Sequence, residues 1–160
     1  SSGAKVFMGG LMDSKPYLTE LKIIEQSQGC VMHGIKVSDS SYVGFGEAYF
    51  STVHKGHIKG WKLHREMTLN LVVPFGDIRF IVHDGNRDKK EIPIEPLIDV
   101  VLGDTNYCRL TVPPNFWFAF QGIGANTNIL MNVANIEHDP NESLNKSLDF
   151  FDVKGCKDFE

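Results

Sequence analysis

Cysteine is scarce in this chain and poorly spaced for chemistry. Cys30, Cys108 and Cys156 are odd in number, far apart and form no C-x-x-C pair, which excludes a disulfide framework and a thiolate zinc site. Reduced thiols are expected, at least two of them buried as small apolar side chains. Long apolar runs are also missing: none approaches the ~20 residues of a membrane-spanning helix, so no membrane insertion is expected. The opening stretch SSGAKVFMGG has no basic region followed by an apolar one. It does not read as a secretory signal; Ser1-Ser2-Gly3 reads as an expression scar, and the cytoplasm is the expected compartment. Nor does either sign of charge dominate. The 16 Lys and Arg against 20 Asp and Glu leave a net charge of −4, which argues against general attraction to a nucleic-acid polymer or a membrane surface. Repeats, low-complexity linkers and sustained helical periodicity are absent.

What the chain has is short segments of period two. EAYFSTV (47–53), HIKGWKLH (57–64), MTLNLVV (67–73), DIRFIVHD (77–84), YCRLTV (107–112), FWFAFQG (116–122) and NILMNVANI (128–136) all read as strands. Pro74-Phe75-Gly76 is expected to join two of them in a tight hairpin, Gly56 and Gly60 to mark bends, and Pro113-Pro114-Asn115 to start a turn. YLTELKIIEQ (17–26) reads equally as helix or strand. Residues 85–106 read as the longest loop-like insertion, with Pro93 and Pro96. The 160 residues suit one all-β domain with little helix, a sandwich or double-sheet barrel. Within that single domain, residues 1–18 form an N-terminal extension and 137–160 a tail that packs on the barrel or a neighbour.

Charge is concentrated where a site is expected. From His54 to Arg65, HKGHIKGWKLHR carries Lys55, Lys59, Lys62 and Arg65 with three histidines and no acid. In an acidic protein this local positive field suits a small anion such as a diphosphate, with a solvated basic face as the plain alternative.

The spacing of HIKGWKLHRE resembles that of a metal-binding jelly roll, the cupin pattern of H-x-H, a carboxylate, a glycine and then P-x-G-x-x-H. Here Lys62 takes the first histidine's place, Leu69 the carboxylate's and Phe118 the last histidine's, while Gly76 and Pro113 stay in register and Asn115 stands for a glycine. Only His64 retains a ligand type. One imidazole beside an ammonium and two apolar side chains falls short of the three or four donors of a protein metal site, so no metal and no cofactor are expected.

A frame without its ligands resembles the metal-free cupins of the dTDP-4-dehydrorhamnose 3,5-epimerase family. YVGFGEAYFS is similar to that family's G-x-F-x-E segment, GHIKGWKLH to G-V-L-R-G-L-H, TVPPNFWFAF to I-P-x-G-x-A-H-G-F, and EHDPNES to Y-x-P-E-H-E. IKGWKLHREMTLN, VP and IEHDP resemble a divergent branch of it most. The resemblance covers roughly residues 30 to 150 and implies a cupin-type double-stranded β-helix. The implied activity is epimerisation of a nucleoside-diphosphate 4-keto sugar at C3 and/or C5 by enolisation, without a metal. Such an isomerase would serve the making of a surface glycan such as lipopolysaccharide, capsule or O-antigen. A homodimer formed by edge-strand exchange is implied too. A ketoisomerase of the same fold and a catalytically silent sugar-nucleotide-binding cupin are the alternatives.

The departures fall on the acid-base residues. Lys62 occupies the position of the family's histidine base, Asn132 that of its tyrosine acid, and His138 lies near a second tyrosine. Lys59 takes the place of an arginine that meets the diphosphate. Enolisation needs a base for a C–H proton, a donor for the enolate oxygen and an acid on the other face. Lys62, kept neutral by burial among cations that disfavour its ammonium, is one candidate base; a phosphate-contacting ammonium is the alternative. His64 shares the face of Lys62 by strand parity and is the other candidate. His138 could act as acid from the rim or cap a turn. Asn70 and Asn132 could hold a sugar or enolate oxygen or be structural amides. Lys55, Arg65 and Glu47 are candidate substrate contacts. Trp61 either joins the core or stacks on a pyrimidine.

Overall fold

The computed structural model of the chain describes residues 14–86 and 95–151. Ser1-Ser2-Gly3, most of the expected N-terminal extension, Pro93, Cys156 and the end of the tail lie outside those residues. Twelve strands are described: β1 (Tyr17–Glu20), β2 (Ile23–Gln26), β3 (Gly29–Met32), β4 (Glu47–His54), β5 (Ile58–His64), β6 (Leu69–Phe75), β7 (Asp77–Asp84), β8 (Ile98–Gly103), β9 (Cys108–Val112), β10 (Phe116–Gly122), β11 (Thr127–Ala134) and β12 (Ser143–Asn145), followed by a 3₁₀ turn at Leu148–Phe151. They form two facing five-stranded sheets, ordered β1-β9-β6-β11-β4 and β12-β5-β10-β7-β8, and a β2-β3 hairpin. All pairings between these strands are antiparallel. This is a double-stranded β-helix of the cupin type. Among the described residues no helix is long and apolar enough to cross a membrane.

Alternation of side chains sorts the aromatic residues onto two faces. Phe80 and Val82 of β7, Phe118 and Phe120 of β10, and Leu69, Leu71 and Val73 of β6 fill the space between the sheets. The intervening residues Ile81, Trp117 and Ala119 face outward, where they join Trp61, Leu63 and Phe151 in a second apolar cluster. The tail makes that outer cluster possible. β12 pairs with β5, and the 3₁₀ turn lays Phe151 against Trp61 with ring centroids 4.8 Å apart, while the indole N–H donates to the Leu148 carbonyl at 3.2 Å.

Three sequence expectations change. Pro74-Phe75-Gly76 is a corner between sheets, because β6 and β7 pair in different ones. Its geometry is held by Asn128, whose Oδ1 accepts the Asp77 N–H at 2.9 Å, and Gly76 takes φ +81° where a side chain would strain. The supposed insertion at 85–106 contains β8, whose Ile98, Val100 and Leu102 pack toward the core while Asp99 meets Arg79 at 2.7 Å. Residues 17–26 are two strands, and Tyr17 and Leu18 already pair with β9. Cys108 is buried, whereas Cys30 is exposed on the hairpin.

Candidate functional site

The two sheets part at one end around a cavity of about 230 Å³. Its floor is apolar, from Leu69 and Leu71 of β6, Leu130 of β11, and Phe118 and Phe120 of β10. Polar groups reach it from opposite walls: Lys59, Lys62 and His64 of β5 with Asn145 of β12 on one side, Tyr49 and Ser51 of β4 on the other.

β5 delivers three functional side chains to one wall through an irregularity. Phe118 pairs with Lys62 and Ala119 with Gly60, so Trp61 is an extra residue in the ladder. Such a bulge reverses side-chain parity along a strand. Lys62 and His64 face the cavity by simple alternation; Lys59, of the opposite parity, faces it only because of the bulge. The backbone can bend there because Gly60 has φ +142° and sits where a Cβ would lie 2.5 Å from that of Ala119. Lys59 is then anchored by donating from Nζ to the Thr52 carbonyl at 2.7 Å and to Ser51 Oγ at 3.1 Å.

His64 is buried, its ring stacked over Phe118 with centroids 6.0 Å apart. Its Nδ1 is hydrogen-bonded to Glu142 Oε1. The other carboxylate oxygen of Glu142 accepts the backbone N–H groups of Glu66 and Met67 at 3.1 and 3.2 Å. Burial opposes ionisation of Glu142, but its hydrogen bonds to His64, Glu66 and Met67 outweigh burial and hold the carboxyl below its usual range. His64 is also lowered. Burial is the main cause and the Lys62 and His138 charges add to it, against the opposing pull of Glu142. A carboxylate beside a neutral imidazole fixes the tautomer: Nδ1 carries the proton and donates it to Glu142, leaving the Nε2 lone pair as the base. A turn aims Glu142, since the Asp139 carboxylate accepts the Asn141 N–H at 2.9 Å and the Asp139 carbonyl accepts that of Glu142 at 3.1 Å.

The remaining expected residues divide by position. Asn132 is fully buried on β11 directly beside Tyr49, accepting the Asn70 N–H at 3.2 Å and donating to the Tyr49 hydroxyl at 3.2 Å. His138 is exposed in the turn before Asp139. Glu47 shares the parity of Tyr49 and Ser51 on β4 but lies outside the cavity lining. Four residues lie away from the cavity. Trp61 faces the outer cluster with Leu63, being of opposite parity to Lys62 and His64. The Asn70 amide is spent outside the sheet, on the Ser41 carbonyl at 3.0 Å and the Thr111 hydroxyl at 2.7 Å. Arg65 opens into a separate groove with Asp84 and Tyr42. Lys55 sits at the β4–β5 turn, beyond the lining residues.

Glu142, Ser51 and Asn145 are the residues that the sequence reading did not select as site residues. Glu142 lies in EHDPNES, a stretch singled out for other reasons; its partner is 78 positions away, a distance no local pattern bridges. As for a metal, the Lys62, Leu69 and Phe118 positions offer no ligand, and among the described residues no three His, Cys, Asp or Glu converge.

A dTDP sugar isomerase from Desulfovibrio desulfuricans G20 is 33% identical to this protein and superposes with a TM-score of 0.75, covering 82% of this chain and 83% of that one. The chain belongs to the dTDP-4-dehydrorhamnose 3,5-epimerase-like family. Its fold recurs in other such proteins: a dTDP-4-dehydrorhamnose 3,5-epimerase from Sulfolobus tokodaii is 20% identical, with a TM-score of 0.70 over 87% of this chain and 81% of that one. The probable low-salt glycan biosynthesis epimerase Agl13 of Haloferax volcanii is 28% identical over 87 residues. That match spans about half of each, 53% of this chain and 54% of the relative. No family model matches the sequence.

Proposed function

We propose that the protein enolises a nucleoside-diphosphate 4-keto sugar and epimerises it at C3 and/or C5. The observation that carries this reading is the buried His64–Glu142 pair, a neutral imidazole held by a carboxylate at the wall of a cavity with an apolar floor. Glu142 steadies the imidazolium that forms when His64 Nε2 takes a proton from the carbon next to the ketone. Lys62, on the same strand face, then acts as a cation near the developing enolate and Lys59 as a contact for the diphosphate. Of the two candidate bases, this takes His64 and leaves Lys62 as the cation. The cavity's apolar residues exclude water from the reacting carbon and strengthen both interactions. The pathway reading, assembly of a surface glycan in the cytoplasm, draws on the Haloferax relative, itself a probable glycan biosynthesis epimerase.

A ketoisomerase is the second reading, compatible with the Desulfovibrio relative, a dTDP sugar isomerase, a term that covers both reactions; moving a keto group needs only one base on one face. Incubation in heavy water with nucleoside-diphosphate 4-keto-6-deoxy sugars tests both. Deuterium at C3 or C5 with inverted stereochemistry supports the epimerase, a displaced keto group the ketoisomerase, and tight binding without exchange the silent cupin.

The same reading includes a homodimer. β4 is a sheet edge, and beside it Phe50 and Phe75 are 71% and 58% exposed. An apolar face of this kind at an unpaired edge favours burial against a second copy.

A further inference from the structure

Inversion at carbon requires a proton to leave one face and another to arrive at the opposite face, so an acid must stand across the cavity from His64. We propose that this acid is Tyr49, a conclusion that rests on the enolisation reading above. The facing wall offers few groups with a transferable proton. Lys59 and Lys62 come from the strand that bears His64. Ser51 is engaged by the Lys59 ammonium at 3.1 Å. Asn132, beside Tyr49 on the neighbouring strand, is fully buried and outside the cavity lining, and an amide is no proton acid at neutral pH. Tyr49 lines the cavity from β4, in the sheet opposite β5.

Asn132 also determines where the phenol proton goes. Its Oδ1 accepts the backbone N–H of Asn70 at 3.2 Å, which settles the orientation of the amide. Its Nδ2 is therefore the end that meets the Tyr49 hydroxyl at 3.2 Å. An amide N–H only donates, so the phenol oxygen accepts there and its own hydrogen is left for another acceptor. Asn132 is thus a positioning residue for Tyr49, and it stays bonded to the oxygen after the proton has left.

The step balances as follows. His64 Nε2 takes the proton from the carbon next to the ketone; the C–H electron pair becomes a C=C bond and the carbonyl pair moves to oxygen. The enolate then collapses, its C=C pair binding the Tyr49 proton on the opposite face and restoring the ketone. Imidazolium and phenolate remain, and water at the open mouth of the cavity returns the proton from one to the other.

The test is Tyr49→Phe in heavy water, with a nucleoside-diphosphate 4-keto-6-deoxy sugar that the wild-type protein inverts. Removing one hydroxyl from a side chain that is 43% exposed leaves the fold intact, which circular dichroism checks. Expected is continued exchange of the substrate proton, with retention, and a fall in inversion of about 10²-fold or more. Asn132→Leu should lower inversion relative to exchange while leaving KM unchanged. Unchanged inversion per exchange event in Tyr49→Phe would overturn the assignment. So would a wild-type reaction that moves the keto group without inversion, which leaves enolisation standing. No exchange by the wild-type protein with any such sugar removes the enolisation reading, and the acid with it.

Discussion

His64 and Lys62 are two residues apart on one strand, yet their environments divide the chemistry between them. His64 is enclosed by Phe118 and tied to Glu142, whereas Lys62 is half-buried at the cavity wall. His64→Asn is expected to lower kcat for exchange by about 10²- to 10⁴-fold, the range for losing a general base, measured by deuterium uptake under saturating sugar. The pH profile carries a sharper signature. Since the folded His64 titrates below 6.5, the acid limb of kcat/KM should have its midpoint below that value. Glu142 raises His64 and Lys62 lowers it. Glu142→Gln should therefore move the acid limb to lower pH, and Lys62→Met should move it to higher pH.

At the scale of the element, β5 does work that its sequence pattern only half discloses. The bulge at Trp61 adds Lys59 to the cavity that Lys62 and His64 already face, while the indole joins Leu63 in the outer cluster. Two substitutions separate those roles. Trp61→Ala should cost about 3–5 kcal/mol of stability in denaturant unfolding, because it empties a fully buried site between the sheet and the 3₁₀ turn. Gly60→Ala forces a Cβ to within 2.5 Å of its Ala119 counterpart. It should part β5 from β10 and raise KM through Lys59 more than it lowers kcat through His64. The tail belongs to this scale as well. β12 and the 3₁₀ turn close the outer face and bring Glu142 to His64; the sequence reading expected a tail packed on the barrel or a neighbour but named no partner for His64.

For the whole molecule, the His64–Glu142 pair links stability to pH. Both groups are lowered in the folded state, so the unfolded chain binds more protons, and stability rises with pH wherever that difference exists. The His64 contribution declines as pH falls below 6.5 and the Glu142 contribution as pH falls below 4.5. Thermal melts should show Tm level between about pH 7 and 8 and falling steadily through that acid window, with the upper part of the fall reduced in His64→Asn. The apolar outer face next to the β4 edge makes its own prediction: Phe50→Glu should convert a dimer to a monomer in light scattering, with sugar exchange measured alongside.

Period-two alternation in segments such as FWFAFQG and DIRFIVHD was enough to specify an all-β barrel, because each strand carries its own burial pattern. The motif string around IKGWKLHREMTLN was enough to specify the family. Lys62 and His64 were legible as a pair, since two positions along a strand return to the same face. Tertiary structure decided the rest. Lys59 reaches the cavity through a bulge, β6 and β7 part into different sheets at Gly76, and Glu142 finds His64 from the far end of the chain. Each depends on backbone geometry or on contacts between distant segments, and neither is written in the local alternation of apolar and polar residues.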